Sequence, residues 1–304
     1  MKLLSSLGEL LLKIIVISLL IIFLSFLGML MMDVWVEPTQ ELHFFEILKE
    51  ALGRSGDYIK LLAQGNLGTA MMVSGEIEVA EIMKTAYANS MGLIGIALGL
   101  AMFLGVLLGS LAALTKHRGQ AHLVLLIAII GISAPTFLLA VLLQTLGIKY
   151  TLTFGTRLVS MGGYAWDFEH LLMPVLVLMA RPLAYVTRAT YVALGEIMGA
   201  DYVRTAHSKG LRERRIFFEH ILRNLGIPLL TAFGVSFRFT LGVLPIVEFI
   251  FGWPGVGQYA LDAVQRREAI LFIVVVLALS LTIQFINALL DWLNHRIDPR
   301  LGRA

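Results

Sequence analysis

The sequence predicts an all-α membrane protein with six transmembrane helices. Of the 304 residues, 58% are apolar and only 15% are charged, and the apolar residues form separate runs of about 20. A soluble domain of this composition would have too few polar side chains to cover its surface. The bilayer is therefore the expected solvent for most of the chain.

Six apolar runs are long enough to cross a hydrocarbon core of about 30 Å as helices that rise about 1.5 Å per residue. The predicted spans are Lys13–Met32, Met91–Leu114, Ala121–Leu146, Leu171–Ala193, Ile227–Phe251 and Ala269–Leu293. The first run is longer than the apolar region of a cleaved signal peptide, and no clear cleavage site follows it. It is therefore interpreted as a retained first span.

The charged residues predict which loops lie on which side of the membrane. Segment 33–90 has nine acidic and four basic residues, whereas the turn 116–118, the loop 204–223 and the tail 296–303 are basic. Basic loops favour the cytoplasmic side, so both termini are predicted to be cytoplasmic and segment 33–90 extracytoplasmic, with short amphipathic helices. Residues 1–304 are expected to form one transmembrane domain, because no soluble domain is visible.

Several absences from the sequence exclude other functions. There is no cysteine, and therefore no disulfide or thiolate metal site. The seven histidines are scattered without an H-E-x-x-H spacing, and no G-x-x-x-x-G-K-[ST] phosphate loop is present. The net charge of +3 is not gathered into a basic stripe, so nucleic acid is not an expected partner. No cofactor bound by this chain is predicted.

The loop between the fourth and fifth spans, residues 199–225, contains the most informative pattern. It begins GADYVRTAHSKGLRERRIFFEHILRN. Asp201 is predicted to cap a short helix, Tyr202–Lys209, and Gly210 to end it in the left-handed conformation. A second, amphipathic helix is expected next, before Pro228 opens the fifth span. Its apolar face would contain Leu211, Phe218, Leu222 and Leu225, with Arg212, Arg214, Arg215 and Arg223 facing water or lipid headgroups.

This loop resembles the "EAA" loop of binding-protein-dependent ABC permeases, in the form found in the dipeptide, oligopeptide and nickel branch. Ala206 and Gly210 fall on the alanine and glycine of the general pattern. Arg204 and Thr205 replace its Glu and Ala, as is usual in the peptide branch. The resemblance implies that the short helix couples to an ATPase subunit. The implied contact residues are Asp201, Tyr202, Val203, Arg204, Thr205, Ala206, His207, Lys209, Gly210 and Leu211.

Weaker matches to the same branch lie in the same order along the chain. They are GNLGTA at 65–70, GISAPTF at 131–137, VEFIFGWPGVGQYALDAV at 247–264 and DPRLGR at 298–303. Residues before about 60 match only loosely. The match therefore covers most of the chain from there onward.

The resemblance implies the type I ABC importer permease fold in a multi-pass protein of the cytoplasmic (inner) membrane. The implied partners are a second homologous permease subunit, two ATPase subunits that carry ATP and Mg, an extracytoplasmic solute-binding protein, and membrane lipid. The implied solutes are di- or oligopeptides, with nickel chelates, glutathione and small glycans as alternatives in the same branch. A secondary transporter would leave the loop pattern unexplained, and an intramembrane enzyme would lack a recognisable site.

Three residues are candidates for the translocation pathway, namely Pro135, Arg181 and Glu248. Arg181 lies ten residues into the fourth predicted span, which at about 1.5 Å per residue is close to the middle of the bilayer. A charge at that depth is not expected to face lipid. Arg181 is therefore predicted either to be paired within the protein or to meet anionic groups of the solute.

Overall fold

The computed structural model describes residues 2–36, 44–73, 75–115 and 118–297. In these ranges the chain is mainly helical, with one two-stranded sheet. The helices are α1 (Lys2–Val36), α2 (Phe44–Ala63), α3 (Val79–Leu114), α4 (Arg118–Ser133), α5 (Thr136–Phe154), α6 (Phe168–Gly199), α7 (Asp201–Ser208), α8 (Glu213–Ile216), α9 (Leu222–Phe251), α10 (Val256–Arg266) and α11 (Ala269–Ile297). A π-helical turn, Phe217–Ile221, joins α8 to α9, and the strands are β1 (Thr69–Met72) and β2 (Gly75–Glu78).

Six of the described helices are long and apolar enough to cross a membrane, which confirms the predicted fold class. These segments are Leu11–Asp33, Val79–Leu114, Thr136–Phe154, Phe168–Gly199, Leu222–Phe251 and Ala269–Ile297. Several helices are longer than the predicted apolar runs because their polar ends continue the helix beyond the bilayer core. Lys116, His117 and the tail motif DPRLGR lie outside the described residues.

The third span was predicted incorrectly as one run, Ala121–Leu146. The structure divides it into α4 and α5 with a break at Pro135, whose φ of −63° and ψ of 130° are extended. Proline lacks the N–H that an unbroken helix needs and disfavours the helical conformation of the preceding residue. The span long enough to cross the membrane is therefore Thr136–Phe154.

Segment 33–90 combines one predicted feature with one that was missed. The expected amphipathic helix is α2, a single helix of 20 residues. The hairpin of β1 and β2, paired from Thr69 with Glu78 to Met72 with Gly75, was not predicted. Gly75 has a φ of +113°, which a glycine adopts without the penalty of a side chain. Residues 37–43 of this segment lie outside the described part.

By packing, the chain divides into two units. The first contains residues 1–90 and 254–285. Within it, the Tyr87 hydroxyl is 2.7 Å from the Thr282 hydroxyl oxygen, and the Asn89 amide donates to the Pro254 carbonyl at 2.9 Å. The Ser90 hydroxyl accepts from the Val256 N–H at 2.8 Å and so fixes the start of α10. The single domain expected for residues 1–304 stays a prediction.

The second unit contains residues 91–253 and 286–304, with α6 as its most buried span. Two glycines of α3, Gly105 and Gly109, lie against α6. A Cβ atom on Gly109 would lie 2.5 Å from the Thr187 carbonyl oxygen, and one on Gly105 would lie 2.8 Å from the Val186 Cβ. The spacing G-x-x-x-G allows two membrane helices to approach closely. The contact of α3 with α6 therefore requires residues without a side chain.

The N-terminus of α6 is fixed by Asp167, which precedes the first helical residue in an extended conformation. Its carboxylate accepts from the His170 N–H at 2.9 Å and lies 2.8 Å from the His170 Nδ1. These bonds to His170, first the side-chain one and then the backbone one, hold the pKa of Asp167 below its usual value. The stabilising effect is therefore present above the ordinary pKa of an aspartate and is lost as the pH falls through the lowered pKa.

We expect Asp167→Ala to lower the melting temperature of the detergent-solubilised protein by a few degrees at neutral pH, because the first turn of α6 loses its cap. Asp167→Asn retains an acceptor oxygen and should change the melting temperature less. The difference between wild type and Asp167→Asn should disappear in acid. Equal melting temperatures for wild type and Asp167→Ala at neutral pH would show that the cap does not stabilise the helix.

Candidate coupling loop and pathway face

The loop after α6 contains the predicted short helix, observed as α7 (Asp201–Ser208). Its eight residues span about 12 Å at 1.5 Å per residue. Val203 and Ala206 are buried, while the other six residues of α7 are exposed. The helix therefore has one face against its own chain and one face open to a partner.

The start of α7 differs from the prediction, because Asp201 is not the capping residue. Ala200 occupies that position in an extended conformation, and its carbonyl accepts from the N–H groups of Val203 and Arg204. Asp201 is the first helical residue, with its carboxylate 3.7 Å from the Arg204 guanidinium. A carboxylate in the first turn still favours the helix electrostatically. The short connection from α6 left only Ala200 to cap α7.

The end of α7 agrees with the prediction. Gly210 has a φ of +70°, in the left-handed region. The Gly210 N–H donates to the His207 carbonyl at 2.9 Å, and the Leu211 N–H donates to the Ala206 carbonyl at 3.3 Å. This pair of bonds is the Schellman motif, in which an apolar side chain after the glycine commonly packs back on the helix. Leu211 does so here.

An apolar cluster fixes α7 to the membrane helices. Its buried members are Ala193, Leu194, Val203, Ala206, Ile216, Ile221 and Leu225, and they come from α6, α7, α8, the π turn and α9. The Asn224 amide also donates to the Tyr202 hydroxyl at 3.2 Å. These contacts hold α7 against α6 and α9.

The second amphipathic helix was predicted with the wrong buried face. Leu225 is buried and Leu211 half-buried as expected, but Phe218 and Leu222 are 55% and 43% exposed. The cause is the π turn Phe217–Ile221, in which the Leu222 N–H bonds the Phe217 carbonyl. A π turn inserts one extra residue into the helical spacing. The helix then continues through Pro228, which lies inside α9 and does not begin the fifth span.

The exposed face of α7 is formed by Tyr202, Arg204, Thr205 and Ser208, together with Asp201 and His207. Beyond its end, Lys209 and Gly210 are exposed as well. The four arginines predicted to face water or headgroups, Arg212, Arg214, Arg215 and Arg223, are also exposed. Contact of this face with an ATPase stays a prediction. Val203 and Ala206, which were among the predicted contact residues, are buried beneath the face and do not form its surface.

Of the three pathway candidates, Pro135 is exposed at the break between α4 and α5, and Arg181 is exposed on α6. Glu248 is fully buried near the end of α9, so its side chain lines no surface of the described chain. The Glu248 carbonyl accepts from the Trp253 N–H at 2.8 Å, which places the residue in the turn that follows α9. A pathway role for Glu248 stays a prediction that this burial does not favour.

Arg181 lies against Phe239 of α9, with its guanidinium carbon 3.9 Å from the ring centroid. Two further arginines at similar depth, Arg188 and Arg238, are also exposed. On insertion scales an arginine at the helix centre is unfavourable by about 2.5 to 3.5 kcal/mol. All three side chains are therefore expected to face protein or water and not lipid. Sequence reasoning found only Arg181, although the spacing of seven from Arg181 to Arg188 would have indicated a shared face.

In the second unit, the aromatic side chains of Tyr164, Trp166 and Trp253 pack edge to face, with Trp253 fully buried. The Gln144 amide donates to the carbonyls of Met161 and Ile250, at 2.7 and 3.2 Å, and so joins the segment before α6 to the end of α9. No cluster of metal-ligating side chains occurs among the described residues.

Six helices that are long and apolar enough to cross a membrane, together with a short helix that packs on α6 and α9 and is exposed on its other side, fit a membrane protein of the permease class. Residues 105–303 match the family described as binding-protein-dependent transport system inner membrane component. The chain belongs to this family. It is a multi-pass inner-membrane permease subunit of an ABC importer, a transport component and not an enzyme.

Its relatives include the glutathione transport system permease protein GsiC of Escherichia coli (strain K12), which is 30% identical over 271 residues, or 87% of this chain and 86% of that protein. GsiC of Salmonella typhimurium (strain LT2) is 32% identical over 244 residues, or 80% and 77% of the two chains. A chain of the inward-facing MetNI methionine ABC transporter has a TM-score of 0.56 at 15% identity, covering 72% of this chain and 97% of that one. The last likeness concerns the fold alone.

Proposed function

We propose that this chain pairs with a second homologous permease subunit to form the membrane pathway of an importer for di- or oligopeptides. The relatives named for glutathione transport support a peptide-like solute, because glutathione is itself a small peptide. Glutathione is the second candidate solute for the same reason. In this proposal the loop 199–225 and both termini are cytoplasmic, while segment 33–90 faces the solute-binding protein.

The proposed coupling mechanism rests on one observation, namely that α7 is buried on one side and exposed on the other. Its buried side is anchored by Val203 and Ala206, and its polar side is open. In the proposed complex, two ATPase subunits bind ATP and Mg, and one of them contacts the open side. Closure of the ATPases moves α7, and the apolar cluster transmits the movement to α6 and α9, which changes the side on which the pathway opens.

We expect Thr205→Trp to reduce the amount of ATPase that co-purifies with the affinity-tagged chain from its host. Thr205 is exposed on the open side of α7, so a large side chain there should obstruct docking without disturbing the buried cluster. Leu152→Trp is the matched control, because Leu152 is 80% exposed on α5, outside the loop. Equal ATPase recovery with both variants would contradict the proposed contact.

The purified chain alone should hydrolyse no ATP, since its sequence lacks a phosphate loop.

The solute is tested by ATP-dependent uptake into proteoliposomes that contain the complete transporter. Labelled di- and tripeptides, including glutathione, should accumulate and compete with one another. Uptake of a nickel chelate or a small glycan, without uptake of any peptide, would contradict the proposed solute class and leave the permease assignment in place.

A further inference from the structure

We propose that Arg181 and Arg188 form a cationic face that binds solute carboxylates inside the membrane, so that this permease favours anionic peptides over neutral ones. The inference rests on the proposed peptide transport and names the class of peptide. It concerns two side chains on one side of α6, and these are called the arginine face below.

The first step concerns depth. Arg181 and Arg188 lie on either side of the middle of the 32-residue helix α6. This helix exceeds the roughly 20 residues that a bilayer core requires. Both charges therefore lie within the core of the membrane and not at the headgroups.

The second step concerns direction. Seven residues separate Arg181 from Arg188, which is about two helical turns, so the two side chains leave α6 on the same side, about 10 Å apart along its axis. Phe239 of α9 lies under the Arg181 guanidinium at 3.9 Å. Arg238 leaves α9 on another side, toward Asn287 of α11, so the shared exposed surface contains Arg181 and Arg188 only.

The third step concerns partners within the chain. Among the described residues, no carboxylate lies within 4.0 Å of either guanidinium group. Arg181 is held by the Phe239 ring. This contact orients the cation and leaves its charge uncompensated. A bound carboxylate would supply the missing charge through strong bidentate hydrogen bonds.

The fourth step concerns space. A groove of about 410 Å³ lies beside Arg188 and is lined by Tyr185, Val192, Glu196 and Pro228 among others. This volume lies within the range of small-molecule binding sites, about 300 to 1,000 Å³. Glu196 is two helical turns beyond Arg188 in the same groove and is suited to the ammonium group that every peptide carries. Arg188 and Arg181 are then left for the C-terminal and side-chain carboxylates, of which an anionic peptide has more than a neutral one.

The test uses the complete transporter in proteoliposomes and measures initial uptake of labelled Glu-Glu and Ala-Ala. The variants are Arg181→Gln and Arg188→Gln, each with its lysine counterpart. The control is Lys149→Gln, because Lys149 is an exposed cation on α5, outside the arginine face. The binding protein is the same in every sample, so a changed ratio of Glu-Glu to Ala-Ala uptake reports the permease.

We expect each glutamine variant to lower the ratio of Glu-Glu to Ala-Ala uptake by about tenfold, the factor that corresponds to one charge-assisted hydrogen bond. The lysine variants should retain much of the preference, and Lys149→Gln all of it. Ala-Ala uptake shows that each variant is folded and coupled.

An unchanged ratio in both glutamine variants would overturn the inference alone. An equal loss of both peptides would do the same, because both carry a C-terminal carboxylate and only Glu-Glu carries the side-chain carboxylates that the arginine face is proposed to favour. If the wild-type transporter imports neither these peptides nor glutathione, the proposed function fails and the inference fails with it.

Discussion

Gly109→Leu is expected to remove most of the folded protein from the membrane. A Cβ atom at this position would lie 2.5 Å from the Thr187 carbonyl oxygen and 2.6 Å from the Thr190 Cβ. A backbone oxygen of α6 cannot rotate away as a side chain can, so α3 itself must move. Overpacking of a core typically destabilises by about 1 to 3 kcal/mol, and separation of two membrane helices along the G-x-x-x-G contact should reach the upper part of that range.

The measurement is the monodisperse fraction of a fluorescent fusion after mild detergent extraction, together with its melting temperature. Gly109→Ala should give an intermediate loss. Gly99→Leu is the matched control on the same helix, because a Cβ atom at Gly99 has no neighbour within 4 Å and the residue is exposed. Similar folded fractions for Gly109→Leu and Gly99→Leu would show that α3 does not depend on the close approach.

Gly210→Val is expected to abolish most transport while the protein remains folded in the membrane. The φ of +70° places the residue in a region where an L-residue is unfavourable by about 1 to 2 kcal/mol, and a β-branched side chain is worse. Relief of this strain would break the two hydrogen bonds that end α7 and release Leu211 from the apolar cluster. The open side of α7 would then no longer be held in one orientation.

We expect uptake and solute-stimulated ATP hydrolysis by the complete transporter to fall about tenfold or more, the factor that corresponds to strain of this size. Gly210→Asn should retain much of the activity, because asparagine tolerates the left-handed region. Gly199→Val is the matched control: a Cβ atom at Gly199 also has no neighbour within 4 Å, but its backbone lies outside that region. Wild-type uptake by Gly210→Val would exclude a role for the turn in coupling.

Local patterns were sufficient for the number of spans and for the end of the coupling helix at Gly210. The bilayer accepts only long apolar helices, so six runs of about 20 residues predict six spans. Gly210 was identified because glycine after a helix favours the left-handed turn. Asp201 was misassigned as the cap because a short acidic residue near a helix start fits both the capping position and the first turn, and only the bounds of α6 decide between them.

The sequence by itself determined the class of protein, the six membrane segments and the loop 199–225 that marks the family. The tertiary structure decided which face of each span is buried, where the π turn shifts the register before α9, and that Arg181 packs on Phe239 whereas Arg238 bonds Asn287 of α11. The buried face of a span could not be predicted from the sequence because the solvent of a membrane helix is lipid and not water. In water, a polar face and an apolar face distinguish outside from inside, whereas lipid is as apolar as the protein interior. The buried face of a span is therefore set by the shape of its neighbours, such as the close approach of α6 to Gly105 and Gly109, and not by hydropathy.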